Sequence, residues 1–513
     1  MTLAAARPTE SPAIDLVRRY PVVAALTLLT GAIHLALAGR YDIMRNELYF
    51  IVCGWRPAFG YVDQPPLAPL IAAATQMFGE NVWLLRLPAV LAATALVPAA
   101  AAFALLLGGD RTSAILAAAG AALSPALMGM TTTTTTSTFE PISWTLCAFL
   151  VTRGVLREDS RALLFAAIVA GLAMEAKYGV AVWLLGLGAG LLATRARLFA
   201  TRGFWFAAAV GGLIAAPSLV WQAIHGWPFL EVIGHHNSAK TIFTGTPLEF
   251  AAVQIGAIDV ALAPLWIAGV VAPFVSAGLA PARFLSIAFL AAVVIVFAGG
   301  GKDYYLFPAY PTMFAVGAAA CAGLRTALAV VWLAVVAGFA LVVAPVALPI
   351  LDPPDLAAYL AATHLRPPPD EAAAVGAPLT QVYSDEFGWR ELEHRVAAVY
   401  RALPDDDKKH VTILASNYGE AAALDFYGRA ELPPSVSGQN QYYLWGPGGG
   451  DGSVIIHVNG DPERWRRLCQ TLEIADTFGV PYAMPYENGR PIMVCRGFRA
   501  DLSATWARFK RFQ

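Results

Sequence analysis

Residues 83–107 read WLLRLPAVLAATALVPAAAAFALLL, twenty-five positions with a single charge at Arg86. A helix needs about 20 apolar residues to cross a bilayer core, so this stretch alone describes a lipid-solvated helix. Comparable stretches fall near 20–38, 113–130, 139–155, 178–194, 203–222, 258–278, 281–299, 304–323 and 326–350, with a shorter one at about 161–176. Together they predict a polytopic all-α membrane bundle of about 11 transmembrane helices. Pro88, Pro125, Pro264 and Pro273 blur the span edges, which a bundle tolerates where neighbours satisfy the freed backbone. Composition agrees: 57% of the 513 residues are hydrophobic, 14% are charged, and mean hydropathy is +0.57. That excludes a disordered chain, and five cysteines are too few for a disulfide scaffold. A net charge of −1 gives no reason to expect a nucleic-acid partner.

The charges divide the chain. Residues 1–351 hold 19 Lys or Arg and 15 Asp or Glu, whereas 352–513 hold 16 and 21. The expected organisation is a transmembrane domain over 1–351 with a first outer loop at 39–82. A Pro- and Ala-rich linker follows over 352–377, then a soluble domain over 378–513. Eleven spans from a cytoplasmic N-terminus place 12 basic residues inside (Arg7, Arg18 and Arg19, then the loops around Arg111, Arg157, Arg197, Arg283 and Arg325) and 7 outside. The positive-inside rule supports that register and puts the C-terminal domain outside a bacterial inner membrane, in the periplasm. The first apolar stretch lacks a clean small-residue cleavage site, so it reads as an uncleaved helix.

Polar residues concentrate in the outward regions 39–82, 223–257 and 299–305, which points to chemistry at the outer membrane surface. The first loop reads YDIMRNELYFIVCGWRPAFGYVDQPPLAPLIAA over 41–73. Asn46–Cys53 is expected to be a short amphipathic helix with Leu48, Tyr49, Ile51 and Val52 available to lie on lipid. Asp63 precedes Pro65-Pro66 and either caps the next helix or serves as a general base. Glu140 opens a span as a cap or as a carboxylate in the outer vestibule. Lys177 either pairs with Glu175 or snorkels to the interface. Lys302, Tyr304 and Tyr305 form a charged, aromatic turn suited to a phosphate or sugar, or to an interface belt. Thr131–Thr136 reads as a solvent-facing helix end. His235 and His236 lack further metal ligands nearby, and P-loop, GxGxxG, HExxH and GxSxG motifs are absent.

On these residues the chain resembles the membrane glycosyltransferases of family 39 type, the C-type fold that includes the protein O-mannosyltransferases and the lipid A aminoarabinose transferases. The resemblance rests on Asn46-Glu47-Leu48-Tyr49-Phe50, Gly60-Tyr61-Val62-Asp63-Gln64-Pro65-Pro66-Leu67 and Arg86-Leu87-Pro88. Phe139-Glu140-Pro141, Ala176-Lys177-Tyr178, His225-Gly226-Trp227-Pro228 and Lys302-Asp303-Tyr304-Tyr305 continue it. It implies a polyprenyl-phosphate-linked sugar as donor, a lipid, glycan or protein acceptor, and transfer on the outer face. It also implies Glu47, Asp63 and Glu140 as catalytic carboxylates, and Arg86, Lys177, Lys302, Tyr304 and Tyr305 around the donor phosphate. Asn46, Tyr61, His225, Trp227 and His236 become acceptor or sugar contacts. The family's usual base is the Asp of an Asp-Glu pair, where this chain has Asn46, and an amide cannot take that proton. Glu47 is then the first choice, with Asp63 behind it. No nucleotide need be bound, and a divalent metal ion near the carboxylates is the one candidate cofactor. The rival readings are a transporter of lipid-linked substrates and an inactive binding member.

In the C-terminal part, the spacing predicts helices over Glu386–Leu403, Glu420–Phe426 and Pro462–Leu472, and strands over Val411–Ala415, Val454–Val458 and Ile492–Cys495. That is a small α/β layer domain. Tyr442, Tyr443 and Trp445 beside Gly446-Pro447 suit either a sugar platform or packing. Cys469 and Cys495 are one candidate disulfide on the oxidising side.

Overall fold

A computed structural model describes residues 19–238, 245–367 and 375–513. Each apolar stretch becomes helical. Among the described residues five helices are long and apolar enough to cross a membrane: Val82–Leu106, Val180–Ala200, Arg202–Ile224, Ala280–Ala298 and Thr326–Ala347. The helix pair Pro247–Ile258 and Val260–Val275 is as apolar but bent by 101°, the shape of a broken span or of a re-entrant loop. The bend falls at Asp259, whose φ is 108° and whose carboxylate accepts the Ala261 N–H at 2.7 Å. Pro21–Leu37, Arg111–Leu123, Glu140–Arg157, Ser160–Ala176 and Tyr310–Ala320 are shorter. The chain is thus a largely helical, polytopic membrane protein.

Small residues set the helix spacing, as expected where lipid offers no hydrophobic drive between helices. A Cβ on Gly190 would stand 2.1 Å from the Phe284 carbonyl oxygen, and one on Gly317 would stand 1.9 Å from that of Leu265. Either substitution would push apart helices whose backbones touch. Trp144, Trp183, Phe284, Tyr310 and Phe314 fill the bundle's largest core.

The C-terminal part carries one five-stranded sheet, order β2-β1-β3-β5-β4. The strands are β1 (Val411–Ala415), β2 (Ser435–Ser437), β3 (Val454–Val458), β4 (Cys469–Phe478) and β5 (Arg490–Phe498). β1 runs parallel to β2 and β3, and β5 is antiparallel to β3 and β4. Cys469 and Cys495 are joined in a disulfide that ties β4 to β5. The helix expected over Pro462–Leu472 ends at Leu468, because the chain turns into β4 there. Pro353–Thr363 is helical within the Pro-rich stretch after the last span.

Sheet and bundle share a core. The first-loop helix Arg45–Trp55 was expected to lie on lipid, but Leu48, Tyr49, Ile51 and Val52 are all buried. They pack with Trp389, Leu392, Val396, Ala421, Leu424 and Ile456 of the C-terminal part. Burial against protein on this scale removes the apolar face from any lipid contact.

Candidate functional site

Two polar clusters stand at the end of the bundle that adjoins the first loop. The first surrounds Asp63. It caps nothing: the helix Leu67–Thr75 begins behind Pro66 without a side-chain cap. Instead Asp63 accepts the Tyr49 hydroxyl at 2.9 Å on one oxygen and the Asn440 amide at 3.1 Å on the other. Tyr49 is buried and its hydroxyl also accepts the Gln441 N–H at 3.1 Å. Gln441 in turn accepts the Val62 N–H at 3.2 Å. Burial raises Asp63 from the ordinary 3.8 to about 6, against the downward pull of its Tyr49 and Asn440 hydrogen bonds. Burial and the neighbouring Asp63 charge push Tyr49 well above the usual phenol range, which keeps it a donor. A carboxylate held at about 6 is ionised at neutral pH and still basic enough to take a proton.

The second cluster surrounds Lys177, the residue that ends the helix Ser160–Ala176. Its ammonium donates to Glu140 at 2.7 Å and Ser137 at 2.8 Å. It also sits 5.4 Å from the Tyr304 ring centre and 5.3 Å from that of Tyr305, close enough for cation–π attraction. Lys302 lies 5.9 Å from the Tyr304 ring. The expected pairing of Lys177 with Glu175 does not form. Glu175 accepts the Ser218 N–H at 3.2 Å from a neighbouring helix. The arrangement offers an anion two ammonium groups and two phenols at a span junction.

Contacts run between the clusters. Gln222 donates to the Tyr61 carbonyl at 2.8 Å and accepts the Phe229 N–H at 3.1 Å. The Phe229 ring meets the ring of Tyr178, next to Lys177, at 4.8 Å.

The remaining expected site residues are placed differently. Glu47 is fully buried. Its oxygens accept the Met44 N–H at 3.0 Å, the Thr134 N–H at 2.8 Å and the Arg86 guanidinium at 3.0 and 3.3 Å. So enclosed, it braces the loop and offers no face to an acceptor. Arg86 also donates to Ala38, Asp42 and Glu386, the last at 2.8 Å, and it is 1% exposed. Buried in this network, it does not reach the surface where a lipid phosphate would lie. Burial raises Glu386 to about 8, partly offset by Arg86 and reinforced by the Glu47 charge. Thr131, Thr133 and Thr134 are buried, not solvent-facing. The Tyr61 side chain turns inward to the Cys53 carbonyl at 2.7 Å. Asn46 accepts the Tyr418 hydroxyl at 2.8 Å. His225 stacks on Trp221 at 4.0 Å, and Trp227 is 44% exposed in a left-handed turn. The side chain of His236 lies outside the described residues, as does Lys240. Among the described residues no three His, Cys, Asp or Glu side chains group as a metal site.

Residues 63–221 match the family model described as dolichyl-phosphate-mannose-protein mannosyltransferase. The match starts at Asp63 and includes Glu140 and Lys177. Among solved structures, ArnT from Cupriavidus metallidurans bound to undecaprenyl phosphate aligns with a TM-score of 0.60 at 14% identity, covering 93% of this chain and 98% of that one. The chain shares its fold with this ArnT. The apo state of the same ArnT aligns with a TM-score of 0.57 at 15% identity over 94% and 98%. Comparison with curated proteins finds no match. The C-terminal part of this chain supplies Glu386, Tyr418, Asn440 and Gln441. These four were missed from the sequence because they lie hundreds of residues from the loop they touch. The adjacent acids Asp385-Glu386, opening a helix, were the one local hint.

Proposed function

We propose that the protein is a membrane glycosyltransferase that moves a sugar from a polyprenyl-phosphate-linked donor to an acceptor hydroxyl or amine on the outer face of the membrane. The observation that carries this reading is Lys177, an ammonium at a span junction between Glu140 and two tyrosine rings. Such a site suits a phosphate whose lipid tail lies in the bilayer, and the ArnT structure of the same fold is bound to undecaprenyl phosphate. In the step, Asp63 takes the proton from the acceptor while the acceptor atom forms the new bond to the sugar's anomeric carbon. The bond from that carbon to the phosphate oxygen breaks, and Lys177 and Lys302 balance the charge on the leaving phosphate. Displacement is direct, with inversion. Whether a divalent ion assists the leaving phosphate is read from turnover in a chelator.

The reading places eleven crossings in the membrane, with the N-terminus in the cytoplasm and residues 378–513 in the periplasm. Lipid A, another glycan or a protein is the acceptor class. Asn46, which holds Tyr418, belongs to the docking of the C-terminal part, and Asp63 carries the base role. Native mass spectrometry with added undecaprenyl phosphate tests the donor half of this proposal. A one-to-one lipid adduct that Lys177→Met removes is expected; an adduct of equal strength in both proteins contradicts it.

A further inference from the structure

A cavity of about 350 Å³ opens beside the sheet, lined in part by Tyr442, whose ring lies 6.3 Å from that of Tyr49. It is within the range of small-molecule sites. One wall comes from the starts of β1 and β2, with Thr412 and Ser435, and another from the glycine-rich turn Gly446–Gly450. Arg56, just past the first-loop helix Arg45–Trp55, lines it as well. The pocket therefore draws on both the first loop and the C-terminal part.

Two features mark it as built for a ligand. The Thr412 hydroxyl is buried in a residue 5% exposed and has no hydrogen-bond partner among the described residues. An unpaired buried hydroxyl is costly, so native proteins rarely keep one without a use. Gly450 leaves the room in front of it: a Cβ there would come 1.8 Å from the Thr412 hydroxyl oxygen. The second feature is Arg56, whose guanidinium lies 4.4 Å from the Trp445 ring centre. Stacking uses the guanidinium face and leaves its in-plane N–H fork unspent. No hydrogen bond or ion pair of that fork exists among the described residues. Lys409 and His410 on the rim are already paired, with Asp406 at 2.8 Å and Asp451 at 3.2 Å. Arg56 is thus the one cation of the lining that forms no direct ion pair among the described residues, although its charge also acts on the buried Asp425 carboxylate.

We propose that this cavity binds one saccharide unit carrying a single anionic group, a carboxylate or a phosphate. The fork of Arg56 takes the anion in two parallel bonds, and the Thr412 hydroxyl takes a ring hydroxyl. The exposed backbone of Gly448–Gly450 suits a polyhydroxylated body better than an apolar one. This site stands whether or not the membrane clusters transfer a sugar.

Titration of the full-length protein in detergent, followed by tryptophan fluorescence, tests it with glucuronate, glucose 6-phosphate, glucose and inorganic phosphate. Saturable binding of glucuronate or glucose 6-phosphate, about tenfold or more tighter than glucose and inorganic phosphate, is expected. Which of the two binds assigns the anion. Arg56→Gln and Thr412→Val should each weaken that binding about tenfold, and Thr412→Val should keep or raise the melting temperature because it removes an unpaired polar atom. Three results overturn the proposal: no saturation with either acidic sugar below about 10 mM, a dissociation free energy under about 3 kcal/mol; inorganic phosphate binding as tightly as glucose 6-phosphate; or unchanged binding in both variants.

Discussion

Replacing Asp63 with Asn separates chemistry from architecture. The change keeps the shape of the side chain and one acceptor oxygen for Tyr49, but turns the second oxygen into an amide facing the amide of Asn440. That lost hydrogen bond costs about 1 kcal/mol. Against it stands the relief of a buried charge. Between pH 3.8 and about 6 the folded protein binds this proton more tightly than the unfolded chain does. The contribution of Asp63 to stability therefore falls as pH rises through that window. At neutral pH the ionised carboxylate costs up to about 3 kcal/mol, discounted because the side chain is not wholly enclosed. Asp63→Asn should then melt at the wild-type temperature or above it. Loss of a general base should nevertheless lower single-turnover transfer by about 10²–10⁴-fold, roughly 3–5.5 kcal/mol on the barrier. Wild-type turnover should rise with pH through about 6, as Asp63 ionises, and the variant should lose that limb. Single-turnover rates across pH 5–8 with melting curves of the same preparations measure both. Turnover of Asp63→Asn within about threefold of wild type refutes the assignment, since base catalysis accounts for far more.

Lys177→Ala should slow transfer more than Lys302→Ala, because Lys177 alone is fixed by Glu140 and flanked by both tyrosines; a lost charge-assisted bond is worth about 1.5–3 kcal/mol, and parallel steady-state rates compare them. Arg86→Met should destabilise the protein by about 3–5 kcal/mol, since it strands Glu47 and Glu386 without their partner. The burial that raises Glu386 to about 8 makes wild-type melting temperature fall as pH rises through 8, and Glu386→Gln should flatten that slope. Cys469 and Cys495 should resist alkylation until reduced, and replacing both with Ser should lower stability by about 2–4 kcal/mol, read by thermal melts.

The membrane part was legible because lipid imposes one pattern, long apolar runs, and each predicted run is helical. Lys177, Glu140, Lys302, Tyr304 and Tyr305 stood out for a similar reason, since charge at a span junction is costly, and the structure brings them together. The first loop was misread because its sequence does not state what covers it. Leu48 and Tyr49 have the spacing of a lipid-facing helix, and the same spacing serves a face packed under Trp389 and Ala421. Glu47 and Arg86 looked like free functional groups until Glu386 completed their buried network. In the sheet, β1 and β3 were found as buried apolar runs. β2 has three residues, and β4 is a ten-residue strand with mostly exposed positions, so neither carries a hydrophobic signal of its own.

Transfer by the purified full-length protein tests the central claim most directly. Undecaprenyl-phosphate-linked sugars are supplied with envelope extract as acceptor, and free undecaprenyl phosphate is quantified. Release that requires the extract, and that falls at least a hundredfold in Asp63→Asn and is lost with Lys177→Met, is the predicted result. Release at the same rate from both variants, or none from any linked sugar while the protein stays folded, would contradict it.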